Sequence, residues 1–523
     1  MLLKLPLAAL CLCLALAGSA AAAPETFDTA RFDAEMTREM ARLKVPGAAV
    51  LIIKDGKTVV LKGYGTRGAA DKTPVTENTI FALGSCTKAF TAMAVVMLDH
   101  CGSLGIDEPV TKVIPDFKAA TPALTAGLTP RDILAQRTGL SDHDAIMALD
   151  DKTRARAAAR IQYIEPNCRI REKFQYCNMH YLLAGYLVDR ASGVKCEDYI
   201  VSKILEPLEI KAFAFGPAAV KKFPDYAFPT KIDTSALPDG SAQDAETLLK
   251  QPAADIPFAD IGVYTPAGGL SMSVRDYEKW IRVFMDCSGK EFSLPALRVE
   301  DMITTQSPAM KPYSPKNPSS VSGYGLGWGS GVYKGRFIAS HDGQIDGFSA
   351  HALVMPGEKC AIAILNNSDS GGILNSIMSI KAQDLLFGED SSRETDKINC
   401  LVDEAARKEH ERLRELRSRE SKTHYPSDLK PFTGVYDNAG YYPVKISGGK
   451  ERLEFEVQGS ARPFGIPRKG ELRYSGTDSF FTVEKGAVTE FQFGARGKNG
   501  LYEGLTINYG GDGGRRVVFI RQL

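Results

Sequence analysis

The chain has 523 residues, of which 44% are hydrophobic and 24% charged, ordinary globular usage that excludes wholesale disorder and a coiled-coil architecture. At roughly 150 residues per domain the length allows about three domains, or one large unit with an appendage. Lys plus Arg number 64 and Asp plus Glu 63, a formal balance of +1, so the composition supplies no basic face of the kind a nucleic-acid partner needs.

In chain order, the N-terminus carries one charge, Lys4, then an apolar run from Leu5 to Ala17 and small residues from Gly18 to Ala23. That is the pattern of a signal peptide, and the run is shorter than the roughly 20 residues a spanning helix needs. Residues 1–23 are therefore expected to be cleaved, leaving a periplasmic or secreted chain without a membrane span. Of ten cysteines, Cys11 and Cys13 would leave with the signal. The others (Cys86, Cys101, Cys168, Cys177, Cys196, Cys287, Cys360, Cys400) form no C-x-x-C pair, so zinc-ribbon and thioredoxin readings fail on spacing. Pairing among them in an oxidising compartment stays open.

Residues 47–63 give two β-rich runs around Asp55-Gly56, a dipeptide that tolerates the positive φ angles of a tight hairpin. A helix is predicted over 85–102, with Ser85 near its first turn and Gly102 ending it. Helical texture continues through 129–136, 144–163 and 178–191. A polar, Pro-rich stretch from about 216 to 262 is too long for an idle connection and is a candidate rim or lid. Strand texture returns at 335–341 and 349–366, followed by a helix over 372–386. Residues 401–424, dense in charges of both signs, read as a solvated linker helix held by i,i+4 pairs. From Pro431 onward, short alternating runs (444–447, 453–458, 479–484, 489–494, 504–509 and 516–521) separated by Gly-rich turns suggest an antiparallel sandwich or small barrel. The expected division is a signal peptide (1–23), a catalytic domain (24–390), a charged linker helix (391–428) and an accessory β domain (429–523).

Two motifs fail on context. Gly63-Tyr64-Gly65-Thr66-Arg67-Gly68 matches G-x-G-x-x-G, but a dinucleotide fingerprint needs a helix directly behind it. Here a hairpin runs into a loop, so the segment reads as a turn and no cofactor is expected. The seven histidines are scattered and give a metal site nothing to rest on.

Ser85-Cys86-Thr87-Lys88 is more informative. If Ser85 opens a helix, Lys88 lies one turn later on the same face. A serine hydroxyl is a weak nucleophile until a nearby base takes its proton, and a lysine can be that base only if burial and neighbouring charge lower its pKa from roughly 10.4. The helix N-terminus also offers backbone N–H groups to a developing oxyanion. Two more segments make a constellation: Tyr176-Cys177-Asn178 just before a helix, and His341-Asp342-Gly343 on a strand edge.

With these three motifs in this order, the chain resembles the serine β-lactamase and penicillin-recognising superfamily, in particular its class C β-lactamase and D-aminopeptidase-like branch. The resemblance covers about residues 30–390 and is supported by the stretches LTPRDILAQRTGL, TPAGGLSMSVRDYEKWI and GYGLGW. It implies a mixed α/β fold, an antiparallel sheet flanked by helices plus a helical subdomain, to which some members append a β domain. It also implies that Ser85 is acylated, that Lys88 is its proton partner and that Tyr176 is a second acid/base serving the leaving group. Asn178 would hold a substrate amide carbonyl, and the backbone N–H groups of Ser85 and Gln344 would form the oxyanion hole, with His341 and Gly343 beside it. Cys86 and Cys177 would be small buried fillers. Gln136-Arg137-Thr138-Gly139-Leu140 departs from the H-T-S-G-L of many relatives, which puts the packing behind the site in question.

The third motif bears most on substrate. A lysine there suits a substrate carboxylate, whereas histidine, with an ordinary pKa of roughly 6.5, is mostly neutral at neutral pH. The expected reaction is hydrolysis of amide or peptide bonds in small or linear peptides, of aminopeptidase or amidase type and including D-residue substrates. The alternatives are a β-lactamase, a DD-peptidase or penicillin-binding protein, an esterase, or a non-catalytic binder of cell-wall peptides.

Overall fold

The computed structural model describes residues 27–140, 151–233, 247, 249–308, 319–390, 392–422, 424–448, 452–458, 469–484, 487–509 and 515–522. The segment expected to be a signal peptide and residues 144–150 of a predicted helix lie outside the described residues.

The predicted hairpin is present. Strands Gly47–Lys54 and Lys57–Gly65 pair antiparallel around Asp55 and Gly56, both of which take positive φ (50° and 74°). They form one edge of an eight-stranded antiparallel sheet. In spatial order its strands are Lys57–Gly65, Gly47–Lys54, Cys360–Asn366, Phe348–Met355, Arg336–Ile345, Gly329–Tyr333, Ser319–Tyr324 and Ser307–Pro308. Gly63 to Gly65 finish a strand and Thr66 bridges to Pro74, so the G-x-G-x-x-G segment is a strand end rather than the turn predicted for all of it.

Strand Gly47–Lys54 is buried on both faces, because its side chains alternate between two cores. Val50 and Ile52 meet Phe32, Met36, Leu374 and Met378 of helices Thr29–Arg42 and Gly371–Phe387. Ala49, Leu51 and Ile53 face the larger core, which holds the helix Lys88–His100 and the helical part of the chain. Helix Lys88–His100 is apolar on nearly every side and correspondingly buried. Phe90 stacks on Trp280 with ring centroids 3.9 Å apart, a contact worth about 0.5–1.5 kcal/mol beyond its burial.

Helix Asn178–Ser192 ends at Gly193, in the left-handed conformation at φ 78° that glycine favours. The 216–262 stretch holds the short helix Pro217–Val220 and the paired strands Thr230–Ile232 and Ala253–Asp255 in its described parts. Helix Ser392–Lys422 starts earlier than its charge pattern suggests. Behind it the chain closes an eight-stranded antiparallel barrel, Gly434–Asp437 pairing with Arg515–Arg521 to complete the ring. Leu453, Phe455 and Val457 point inward while Glu454 and Glu456 point out. The sequence reading missed two barrel strands, Gly434–Asp437 and Lys469–Gly476, whose glycines weaken the alternation. Among the described residues no helix is long and apolar enough to cross a membrane.

Candidate active site

Ser85 sits in a 3-10 turn, Gly84–Thr87, that leads into helix Lys88–His100. The predicted helix therefore begins three residues later than expected, and the tighter turn still sets Ser85 and Lys88 together. Lys88 is fully buried. Its Nζ donates to Ser85 Oγ at 3.0 Å, to Asn178 Oδ1 at 2.7 Å and to the Ala267 carbonyl at 2.8 Å. Three segments far apart in sequence thus meet at one amino group. The 265–270 segment is tied to the same helix by Thr91 Oγ1 donating to the Pro266 carbonyl and by Leu270 N–H donating to Thr87 Oγ1.

Asn178 opens helix Asn178–Ser192, and Tyr176 lies two residues before it, half-buried. The Tyr176 ring centroid is 4.8 Å from Lys88 Nζ and 6.3 Å from the His341 ring. Cys177 and Cys86 are both buried, as expected of fillers, and the Cys86 thiol donates to the His341 carbonyl at 3.2 Å. Burial pushes the Cys86 thiol well above its ordinary pKa. All eight cysteines from Cys86 to Cys400 are free thiols.

His341, Gly343 and Gln344 lie inside strand Arg336–Ile345, which extends past the predicted end. The neighbouring strand Gly329–Tyr333 stops pairing at Ser340, so 341–345 have, among the described residues, a strand partner only on the Phe348–Met355 side. The turn at 83–85 lies close against this part of the strand. A Cβ on Gly343 would stand 1.9 Å from the Leu83 carbonyl oxygen and 3.1 Å from Ser85 N, and a Cβ on Gly84 would stand 2.6 Å from Gln344 N. Both glycines are needed for that approach. It sets Ser85 N beside Gly343 and Gln344 N beside Gly84 across the two segments.

His341 is engaged at both ring nitrogens. Nδ1 lies 2.6 Å from the Asp342 carbonyl oxygen, which can only accept, so Nδ1 carries the proton and Nε2 accepts from the Tyr324 hydroxyl at 2.9 Å. Burial, then the charge of Lys88, lowers the ring's pKa to about 4. The ring is accordingly neutral at neutral pH.

Gln136-Arg137-Thr138, the stretch that departs from the family pattern, packs behind the site. Gln136 Oε1 accepts from Cys177 N–H at 3.0 Å and also meets His180 Nδ1, while His180 Nε2 contacts Thr138 Oγ1 at 2.7 Å. His180 is fully buried, and burial and the Lys88 charge lower its pKa to about 3. Sequence reasoning missed His180 and Tyr324. A lone His or Tyr carries no signal, although Tyr324 does lie in the quoted stretch GYGLGW. It also missed a chain on the strand's other side, in which His351 Nδ1 contacts Asp342 Oδ1 at 2.7 Å and His351 Nε2 contacts Ser379 Oγ at 2.9 Å. Among the described residues no group of three or more His, Cys, Asp and Glu side chains is placed to hold a metal ion.

Residues 32–375 match the family model described as Beta-lactamase. Among curated proteins, the chain is 28% identical over 357 residues to the unguisins hydrolase ungD of Aspergillus violaceofuscus, covering 64% of this chain and 61% of that one. It is 26% identical over 349 residues to protein flp of Staphylococcus aureus, covering 65% and 63%. The match thus spans less than two thirds of the length of these curated relatives. Among solved structures, the octameric penicillin-binding protein homologue from Pyrococcus abyssi superposes with a TM-score of 0.59 at 22% identity, over 94% of this chain and 100% of that one. The D-amino acid amidase from Ochrobactrum anthropi SV3 superposes with a TM-score of 0.54 at 21% identity, over 69% and 98%. Both superpositions speak to the fold.

Proposed function

The chain belongs to the beta-lactamase family, and from that premise we propose that it is an exported serine hydrolase that cleaves amide bonds of small or linear peptides through a Ser85 acyl-enzyme. In its neutral form, with Nζ accepting from Ser85 Oγ rather than donating to it, Lys88 takes the Ser85 hydroxyl proton as Oγ bonds to the substrate carbonyl carbon, and the backbone N–H groups of Ser85 and Gln344 hold the resulting oxyanion. Tyr176 gives its phenol proton to the departing amine as the C–N bond breaks and is reprotonated by the proton that Lys88 took from Ser85, and Asn178 binds the substrate's amide carbonyl. Water then attacks the ester carbonyl, the acid is released and Ser85 Oγ regains its proton. The observation that supports this reading most strongly is Lys88 Nζ at 3.0 Å from Ser85 Oγ, on a fully buried side chain.

The preference for amides over substrates that carry a carboxylate rests on His341. Its neutral ring spends both nitrogens on Asp342 and Tyr324, so the third motif offers no cation to a carboxylate. Two of the proteins the chain is similar to, a D-amino acid amidase and an unguisins hydrolase, are in keeping with hydrolysis, the first of them with amides of D-amino acids.

A fluorophosphonate probe should label the protein and not its Ser85→Ala variant. Lys88→Ala and Tyr176→Phe should each slow amide hydrolysis by about 10²–10⁴-fold. Amidase activity retained in Ser85→Ala would sink the proposal. Nitrocefin run beside D- and L-amino-acid anilides separates the alternatives: turnover means a β-lactamase and stable acylation a penicillin-binding protein. Peptide binding without turnover of any ester, amide or lactam means a non-catalytic binder. Export is tested by N-terminal sequencing of the mature protein, which should begin near Pro24.

A further inference from the structure

Gln136 stands just past helix Pro130–Leu134, in a place that favours glycine. Its N–H donates to the Ile133 carbonyl at 3.1 Å and Arg137 N–H donates to the Asp132 carbonyl at 3.0 Å, the pair of bonds that closes a helix through a left-handed residue. Gln136 is that residue, at φ 57°, where glycine would sit without strain. It is also fully buried, and a buried amide is costly unless its polar atoms are used. Backbone strain of this kind clusters at functional sites.

The carbonyl and the side chain of Gln136 together bracket Tyr176. The carbonyl accepts from Gln175 N–H at 2.8 Å, and Oε1 accepts from Cys177 N–H at 3.0 Å. The residues on both sides of Tyr176 thus hang on one anchor. That anchor is itself held. Arg171 N–H donates to the Arg137 carbonyl at 2.7 Å and Asn167 N–H to the Gly139 carbonyl at 3.1 Å, which lays 167–175 along 136–139. The buried Asp132 carboxylate accepts from Arg137 and from Arg171 and ties the same two segments. Gln136 Oε1 also accepts from His180 Nδ1, in the first turn of the helix that Asn178 opens. Both lone pairs of the oxygen are therefore in use. Histidine, the residue of many relatives at this place, has one acceptor nitrogen for the same two donors.

We infer that Gln136 is a positioning residue: through Oε1 it fixes the backbone around Tyr176 and so aims the phenol that protonates the leaving amine. The inference rests on the proton-donor role proposed above for Tyr176, whose ring centroid lies 4.8 Å from Lys88 Nζ. It concerns the leaving group and not the nucleophile, because Ser85 is set by a separate element, the turn Gly84–Thr87. A loosened Tyr176 slows the loss of an amine, which must leave protonated. It spares the loss of p-nitrophenolate, which leaves as a stable anion and needs no proton.

The test measures kcat/KM of the full-length protein on one acyl group carried both as its p-nitrophenyl ester and as its p-nitroanilide. Gln136→Met and Gln136→His are compared with wild type and with Tyr176→Phe, after fluorophosphonate labelling of Ser85 on each preparation. Gln136→Met, similar in length but without the acceptor, should cut anilide turnover by about 10- to 10²-fold, the scale of a small misplacement, and leave ester turnover and labelling within about threefold. Gln136→His, with one acceptor, should lose less on the anilide, and it gives the reading if thermal melting shows Gln136→Met to be unfolded. Added to Tyr176→Phe, either substitution should cost nothing further on the anilide, because residues that act as a unit are not additive. Equal losses on ester and anilide, losses that multiply with that of Tyr176→Phe, or unchanged anilide turnover in the folded variants overturn the inference and leave the acyl-enzyme intact. An ester-to-anilide ratio unmoved by Tyr176→Phe overturns the proton-donor role and the inference with it. Anilide hydrolysis without labelling at Ser85 overturns the acyl-enzyme and, with it, both roles.

Discussion

His341 and His180 sit buried and neutral, both under the influence of the Lys88 charge, and that has a consequence for stability. Burial, reinforced by Lys88, lowers their pKa values to about 4 and about 3. An unfolded histidine titrates near 6.5, so below that pH the unfolded chain binds protons that the folded one refuses. Stability contributed by these groups is complete above about pH 6.5 and is lost as pH falls through the folded values. The urea midpoint should therefore drop between pH 7 and pH 4, and in His341→Gln the drop should be shallower. An identical pH slope in the two proteins would mean that His341 is not a source of the acid sensitivity. The same hydrogen bonds explain why a neutral ring is tolerated in the interior: with Nδ1 on Asp342 and Nε2 on Tyr324, no polar atom of the ring is left unsatisfied.

One strand and one turn carry most of the site at the scale of elements. Arg336–Ile345 loses its neighbour on one side after Ser340, and the turn Gly84–Thr87 fills the vacated edge. The fit depends on a missing side chain at Gly343, where a Cβ would collide with the Leu83 carbonyl at 1.9 Å. Gly343→Ala must push the strand and turn apart, with an overpacking cost of about 1–3 kcal/mol. Because Gln344 N–H moves with the strand, Ser85 acylation should fall by about 10²-fold, as when one oxyanion donor is removed. Wild-type labelling rates in a folded Gly343→Ala protein would show that Gln344 N–H has no part in the reaction.

The barrel and the family-matching part of the chain touch at a definite place. Arg160 Nη1 donates to the Gly440 carbonyl at 3.4 Å, and Gly440 lies against Tyr163, where an added Cβ would be 3.3 Å from the Tyr163 Cβ. Helix Arg154–Ala159, just before these residues, packs against helix Asn178–Ser192, whose first residue is Asn178. A barrel loop thus bears on the helical layer that carries one wall of the site. The barrel should then restrict substrate size: a chain ending at Asp390 should keep its turnover of small p-nitrophenyl esters and accept a wider range of peptide lengths. An unchanged length preference in a folded, active truncation would make the barrel an attached domain without a filtering role.

The residues that meet at Lys88 were legible because chemistry constrains local spacing: Ser85 and Lys88 must lie one turn apart, and Tyr176 and Asn178 two residues apart before a helix. The hairpin at Asp55-Gly56, the core helix behind Ser85 and the alternation of strands such as Leu453–Val457 were legible for the same reason, since each writes its period into a short run. Strands Gly434–Asp437 and Lys469–Gly476 were not, because closing a barrel rescues glycine-bearing segments that have weak patterns of their own. His180 carries no local signal, and Tyr324 is marked only by its place in the stretch GYGLGW. A histidine becomes a buried neutral acceptor only when distant segments desolvate it and supply its partners. The sequence by itself put Ser85, Lys88, Tyr176 and Asn178 forward as candidates, because their local spacing is written in short runs. The tertiary structure decided that His341 is neutral and already occupied, and that Gln136 stands behind Tyr176, because only folding buries the one and brings the other against 175–177.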